Sequence, residues 1–303
     1  MNLSIINKVL FAFSLFVLSS CASQKIVSRD IQFPPPQEGV VKVMTFNIRV
    51  GLPFLDGLNC WNNRKNIVTN RIVDNAADCF GLQEALDFQF QHIQQALPQY
   101  AVYAVGRKNG KQKGEACPIF YRKDRFDLIE CGTFWFSNTP DKNGSKDWGN
   151  ISPRICSWIH LLDKTNGSAF YVFNLHLDNW SQNSREKSVR LLAERIANRK
   201  TKDPFIVMGD FNMELDNPAM KFLLKDGFQT PYPKMTDSLY SVKPSQINIG
   251  TRHDFGGRTT GPQIDHIPIC ENAKALEVSI DQYTFNGRYP SDHFPVVAVL
   301  QLF

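Results

Sequence analysis

A chain of 303 residues, 43% hydrophobic and 21% charged, carries enough apolar material for one large or two small globular domains and lacks the bias of a disordered or fibrous chain. Its formal net charge is +5, and taking away residues 1–20 removes only Lys8, leaving +4. That mild basicity, without a groove-tracking Lys/Arg cluster, argues against a duplex-binding protein.

From the N-terminus, Lys8 precedes the uncharged apolar run Val9 to Leu18, which is too short to span a bilayer and has the pattern of a signal-peptide core. The run ends in Leu18-Ser19-Ser20-Cys21, which resembles the lipobox of bacterial lipoproteins. That resemblance implies cleavage before Cys21, acylation of its thiol and anchoring at the cell envelope, on the outer membrane or the periplasmic face. An ordinary signal peptide cut nearby is the alternative, and either way the protein is expected to be exported. Residues 21–40, with the stretch Phe33-Pro34-Pro35-Pro36, read as a stiff tether, and residues 41–303 as one domain, expected to be a monomer. The remaining cysteines, Cys60, Cys79, Cys117, Cys131, Cys156 and Cys270, are even in number, so disulfides are allowed, but four lie in or beside strand-like runs that suit a small buried thiol. No C-x-x-C or H-x-x-x-H spacing points to zinc.

Further along, Val41 to Phe46 alternates as a strand and leads into Asn47. Val68, Ile72 and Ala76 share a helical face, with Asn62 or Asn63 as expected N-cap. Cys79 to Leu82 is a short strand delivering Gln83 and Glu84, and a second helix is expected from Phe88 to Leu97. The clearest helix follows Ser184, where Val189, Leu192, Ala193 and Ile196 recur at i, i+3, i+4 and i+7. Strands are expected at Tyr100–Val105, Ile119–Arg122, Ile155–Leu162, Ala169–Leu175, Phe205–Met208, Ile264–Ile269 and Pro295–Leu302. Runs apolar on both faces, such as Phe205 to Met208, point to two packed sheets with helices outside.

Polar motifs end these apolar runs: Phe46-Asn47, Gln83-Glu84, His176-Leu177-Asp178, Gly209-Asp210-Phe211-Asn212, Ile264-Asp265 and Ser291-Asp292-His293. Polar groups gathered at the rim of a core need partners, and a cation bound with a phosphate supplies them. Any one motif has an ordinary explanation, such as an Asx turn for Asp210 and Asn212 or a satisfied core histidine for His176.

Taken in order and spacing, the motifs resemble the endonuclease/exonuclease/phosphatase superfamily, the DNase I-like fold. Trp61-Asn62-Asn63-Arg64, Tyr121 to Phe126 and Gly132 to Ser137 look like its bacterial exported branch. The resemblance implies a four-layer α/β sandwich, with two central mixed β-sheets flanked by helices, and magnesium-dependent hydrolysis of a phosphate ester. An anionic ester needs a cation, a base for water and donors for the developing oxyanions. Glu84 is the expected magnesium ligand, because magnesium takes hard oxygen donors and needs few of them; Asn47 and Asp292 are expected at the same metal site, with manganese as a substitute. Asp210 and Asn212, two apart on an extended segment, are expected to position the attacking water. The resemblance implies that His176 stabilises the transition state and that Asp265 and His293 form a dyad in which the carboxylate orients the imidazole. Asp178 and Arg154 are expected to contact phosphate. His266 stands where the superfamily usually has an aromatic residue, and is read as structural or substrate-lining.

The loops Asp141 to Trp148 and Arg252 to Arg258 are placed beside the site as candidate readers of the substrate. That substrate is a phosphate ester: a nucleic-acid fragment, a lipid headgroup or a sugar phosphate. The rival readings are an exported nuclease, a non-catalytic binding module of the same fold, and a serine hydrolase using Ser291. The last lacks a Gly-x-Ser-x-Gly elbow.

Overall fold

The computed structural model describes residues 30–224, 232–243 and 248–303; the signal segment and Cys21 lie outside them. Strands β1 (Val40–Asn47), β2 (Cys79–Gln83), β3 (Tyr100–Tyr103) and β4 (Ile119–Arg122) open a first sheet. The next seven, β5 (Phe126–Trp135), β6 (Ile155–Asp163), β7 (Ala169–His176), β8 (Phe205–Asp210), β9 (Met235–Asp237), β10 (Asp265–His266) and β11 (Pro268–Cys270), form a second. The chain then returns through β12 (Ala273–Ile280) and β13 (Val296–Leu302), giving the first sheet the order β12-β13-β1-β2-β4-β3. The second runs β5-β6-β7-β8-β11-β9, with β10 also on β8.

Both sheets are mixed, because a parallel pair needs a crossover and each sheet has one. Helix α1 (Trp61–Asn75) connects parallel β1 and β2, with α2 (Asp87–Ala96) following, and α3 (Gln182–Ala197) connects parallel β7 and β8. Two short helices, α4 (Pro218–Leu224) and α5 (Ser238–Val242), complete the chain's helical elements among the described residues. The strands alternate between two apolar layers. Val41 and Val43 point into the interface between sheets, with Ile159, Val172, Ile206 and Met208 opposite, while Met44 and Phe46 face Val68, Ile72, Phe90 and Ile93 of the outer helices. On the other side Phe173, Leu175 and Val207 pack under Val189, Leu192 and Ile196. These are the four layers expected from the sequence.

Local details differ from the sequence reading. Helix α1 starts ahead of Asn62: Cys60 is its N-cap and makes no side-chain cap, since the 3₁₀ turn Gly57–Asn59 leads the chain directly into the helix. Packing also begins before Val41, because Ile31 is buried and Phe33 sits edge-on to Tyr100 at 5.7 Å beneath the Arg122 guanidinium. Strand β5 is exposed at four successive residues, Asp127 to Glu130, and β12 at half of its positions, so their apolar runs are too broken to stand out in sequence. All six cysteines from Cys60 to Cys270 are free thiols.

Candidate active site

Strand register brings the polar motifs together. His176 ends β7 level with Asp210 on β8, and Asp265 on β10 is level with Asp210 from the other side, so three candidate site residues stand on neighbouring strands at one edge. In the facing sheet Asn47 ends β1 level with Gln83 on β2. A polar pin holds the two edges in register: the Asn174 amide donates to the Leu82 and Pro118 carbonyls at 2.9 and 2.8 Å, and its oxygen accepts from Gln83 at 2.7 Å. Gly81 makes room for it, since a Cβ there would lie 2.5 Å from the Asn174 carboxamide. Gly209 serves β8 similarly, with φ +153° and the Leu175 carbonyl 2.1 Å from where a Cβ would stand. Asn47 Nδ2 crosses between the sheets, donating to Asp210 at 2.9 Å and Glu84 at 3.2 Å.

Loops complete the edge under strain. Arg49, Glu84 and Asn212 hold left-handed backbones, with φ 58°, 59° and 52°, each costing about 1–3 kcal/mol for a residue with a Cβ. Buried Arg64 on α1 ties the first of these loops down, donating to the carbonyls of Ile48, Arg49, Asn59 and Pro290. The result is a cleft of about 230 Å³ lined by Glu84, Asp292, Asp210, Asn212, His176 and His293, with Arg49, Arg107, Arg154 and Arg252 around them.

The electrostatics divide the titratable groups by role. His293 Nδ1 lies 2.8 Å from Asp265 Oδ2. Burial opposes charge on His293, but Asp265, with Asp210 and Asp292 behind it, overrides this and pushes the imidazole up to about 10. Asp210 is fully enclosed, and burial together with neighbouring Asp265 raises its carboxyl to about 7, against the stabilising pull of His293 and Asn47. His176 goes the other way: burial, with Arg154 and Arg107 nearby, holds its pKa well below the ordinary value. Its neutral form is thereby favoured, with Nε2 3.5 Å from Asp210 Oδ2.

Two groups of donors are candidates for a divalent cation. The ligand atoms of Asp210, Asp265 and His293 lie within 4.8 Å of one another. In that triad, however, His293 already binds Asp265, and its positive charge balances the carboxylates. Glu84 and Asp292 suit the ion better. Both are carboxylates on the cleft wall, burial and the Glu84 charge raise the Asp292 carboxyl, and the guanidinium facing it, Arg49, stands back at 3.6 Å while binding Asp56 through two hydrogen bonds. Such an oxygen-only donor set matches magnesium.

Not every expected residue reaches the cleft. Asp178 stands behind the wall, with Oδ2 3.2 Å from Arg154 Nε and Oδ1 accepting from the backbones of Trp180 and Ser181. It holds Arg154, which lines the cleft where Asp178 itself does not. Asp210 and Asn212 both face the cleft, but not through an extended segment. Asn212 turns left-handed, its N–H donates to Asp210 Oδ1 at 2.9 Å, and its carboxamide donates to the Leu177 carbonyl at 3.1 Å. The Asx turn and the functional placement are thus the same structure. Asn47 and Asp265 support the cleft from behind, as partners of Glu84, Asp210 and His293. His266 is structural, wedged between the Met213 carbonyl and Asp237. The loop Asp141 to Trp148 misses the cleft, since the Trp148 carbonyl caps into α3 through Ser181 and Asn183. Sequence reasoning also passed over Arg49 and Arg107. Arg49 follows the Asn47 motif by two residues and was findable from it; Arg107 sits in an irregular loop, positioned where Trp135 Nε1 donates to its carbonyl at 2.6 Å, and carries no pattern.

Comparison with known proteins agrees with this architecture. A crystal structure of an endonuclease/exonuclease/phosphatase family protein from Bacteroides thetaiotaomicron superposes with a TM-score of 0.79 at 32% identity, covering 86% of this chain and 97% of that one. A mannosyl-6-phosphatase of the same organism superposes with a TM-score of 0.78, also at 32% identity, covering 86% and 99%. In sequence, an uncharacterised protein of Acanthamoeba polyphaga mimivirus is 28% identical across 80% of this chain and 92% of its own. The Ccr4 exoribonuclease subunit of Mycosarcoma maydis is 22% identical across 79% of this chain but only 41% of its own length. Residues 44–293 match the profile of the Endonuclease/Exonuclease/phosphatase family, to which the chain therefore belongs.

Proposed function

We propose that this protein is a magnesium-dependent phosphomonoesterase, with manganese as a substitute metal. The observation that carries the reading is the convergence on one small cleft of a carboxylate pair, a carboxyl raised to about 7 and a charged imidazole among arginines. Glu84 and Asp292 would hold the cation, which when bound neutralises phosphate charge. Asp210 accepts the proton of the attacking water, and its position is held by the Asn47 amide. Asn212 orients that water at the mouth of the same turn. His293, fixed through Nδ1 by Asp265, presents its other N–H to a phosphoryl oxygen, while neutral His176 and Arg154 offer further donors. Likeness to a mannosyl-6-phosphatase favours a monoester over a polynucleotide.

We also propose that the chain acts outside the cytoplasm as a lipid-anchored monomer, on the strength of Lys8, the apolar run to Leu18 and Cys21. Metabolic labelling with a fatty acid, lost in Cys21→Ser, tests the anchor. Phosphate release by the purified domain from sugar phosphates, nucleotides, lipid headgroups and oligonucleotides, with magnesium, manganese or EDTA, tests the reaction. Cleavage of oligonucleotides with no release from monoesters would replace the phosphatase by a nuclease. Activity that survives EDTA would remove the cation.

A further inference from the structure

Next to the catalytic cleft lies a larger cavity of about 530 Å³. Asn179, Asn212 and Arg252 line both, so a molecule whose phosphate sits in the cleft extends directly into this second space. Trp180 stands on its wall 74% exposed, with no ring contact among the described residues. A large apolar ring left open beside a polar site is costly unless something covers it. Its backbone is fixed by the same carboxylate that aims Arg154: Asp178 accepts from Trp180 N at 3.0 Å and binds the guanidinium through its other oxygen. One residue thus sets the ring relative to the cleft.

The cavity is also lined by Glu214 and Asp216, exposed and without side-chain partners among the described residues. The one cation lining it among the described residues, Arg252, is already paired with Asp254 at 2.9 Å. The cavity is therefore acidic, which repels a second phosphate at this range. Ionised carboxylates only accept hydrogen bonds, so they suit a donor-rich neutral group. A flat apolar face and carboxylate acceptors lining one cavity match a polyhydroxylated ring.

We propose that this cavity binds the neutral sugar of a sugar phosphate, with Trp180 against the ring's apolar face and Glu214 and Asp216 accepting from its hydroxyls. The proposal rests on the phosphomonoesterase reading and specifies the substrate for it. A nucleic acid, which would bring further phosphates to the acidic wall, is the rejected alternative.

The test compares phosphate release from a hexose 6-phosphate, from methyl phosphate and from a 5′-phosphorylated oligonucleotide. Trp180→Ala should lower the kcat/KM ratio of hexose phosphate over methyl phosphate about tenfold, chiefly through KM, as expected for a lost contact worth one decade of affinity. Glu214→Gln combined with Asp216→Asn should lower the same ratio and raise the relative rate on the oligonucleotide. An unchanged ratio in both variants, or an unsubstituted protein that prefers the oligonucleotide, overturns the proposal. A second arm measures binding to Asp210→Asn protein in magnesium, by calorimetry with hexose 6-phosphate and with inorganic phosphate. The sugar phosphate should bind about tenfold more tightly, an advantage lost on adding Trp180→Ala. Equal binding of the two ligands overturns the sugar site. If no monoester is hydrolysed at all, the phosphatase reading falls, while this binding arm still decides the cavity.

Discussion

Two polar clusters join the sheets, one at each end of β2, and they are built to opposite rules. Where β2 begins, Asp78 binds Arg122 at 2.8 Å, Arg125 at 3.0 Å and the Lys42 backbone at 2.8 Å, and Arg125 binds Asp163 in the facing sheet at 2.7 Å. Asp163 in turn accepts from the Thr165 backbone and hydroxyl. Each carboxylate there has an arginine, and both arginines are buried. Where β2 ends, carboxylates outnumber the cations that touch them. Burial and Asp265 raise the Asp210 carboxyl to about 7, Asp265 Oδ1 and His176 Nδ1 have no hydrogen-bond partner among the described residues, and the backbone is strained at Glu84. A closed cluster clamps, because buried charges are tolerable only when paired. An open one keeps donors and acceptors available to a ligand, and the strain and unmet polar groups there are stability given up for function.

The largest effect should come from removing a member of the open cluster. Glu84→Ala, Asp210→Asn or His293→Ala should each lower kcat for phosphate release by about 10³-fold; thermal melting should stay nearly unchanged in Asp210→Asn, whereas His293→Ala also leaves buried Asp265 without its partner and should melt earlier. Activity within tenfold of the unsubstituted protein would break the assignment. In the closed cluster the expected result is inverted. Arg125→Ala strands Asp163 as a buried carboxylate without a cation and leaves Asp78 with Arg122 alone, and should destabilise the fold by about 3–5 kcal/mol in urea titrations while the folded fraction keeps its kcat.

A third measurement uses pH. Asp210 must be deprotonated to accept a proton, so kcat/KM should fall about tenfold per unit as pH drops below its pKa. The free carboxyl is raised to about 7, and a neighbouring cation lowers it, so the acid limb should lie at or below that value. His293, raised to about 10, stays charged through this range and leaves the neutral region flat above the limb. A profile independent of pH down to about 5 would remove Asp210 as the base.

Smaller effects probe the connection between the sheets and the cleft. Gly81→Ala should force the Asn174 pin aside, costing about 1–3 kcal/mol of stability and lowering activity, because the two halves of the site sit on different sheets. Asp178→Asn keeps the hydrogen bonds to Trp180 and Ser181 within reach but loosens Arg154, so KM should rise about threefold with little change in kcat. A kcat loss as large as that of Asp210→Asn would instead place Asp178 among the groups that act on the phosphate.

Much of this molecule was legible in sequence because local chemistry repeats there. The doubly apolar run Phe205 to Met208 announces a strand buried on both faces, the stripe from Val189 to Ile196 announces α3, and a polar motif closes each central run. Strands β5 and β12 were obscured by their exposed residues, and the start of α1 by a 3₁₀ turn that made a side-chain cap unnecessary. What the sequence determined by itself was therefore the set of elements, their apolar faces and the identity of the polar groups that close the central runs. Only the tertiary structure decided which of those groups face the cleft. Register set His176, Asp210 and Asp265 abreast, and a left-handed turn, not strand periodicity, brought Asn212 beside Asp210. Burial then favoured the neutral form of His176 and made Asp210 a weak acid, while Asp178 was turned to hold Arg154. The physical reason is that apolar periodicity is a property of neighbours along the chain, whereas a pKa or a cleft wall depends on groups from distant strands meeting out of water.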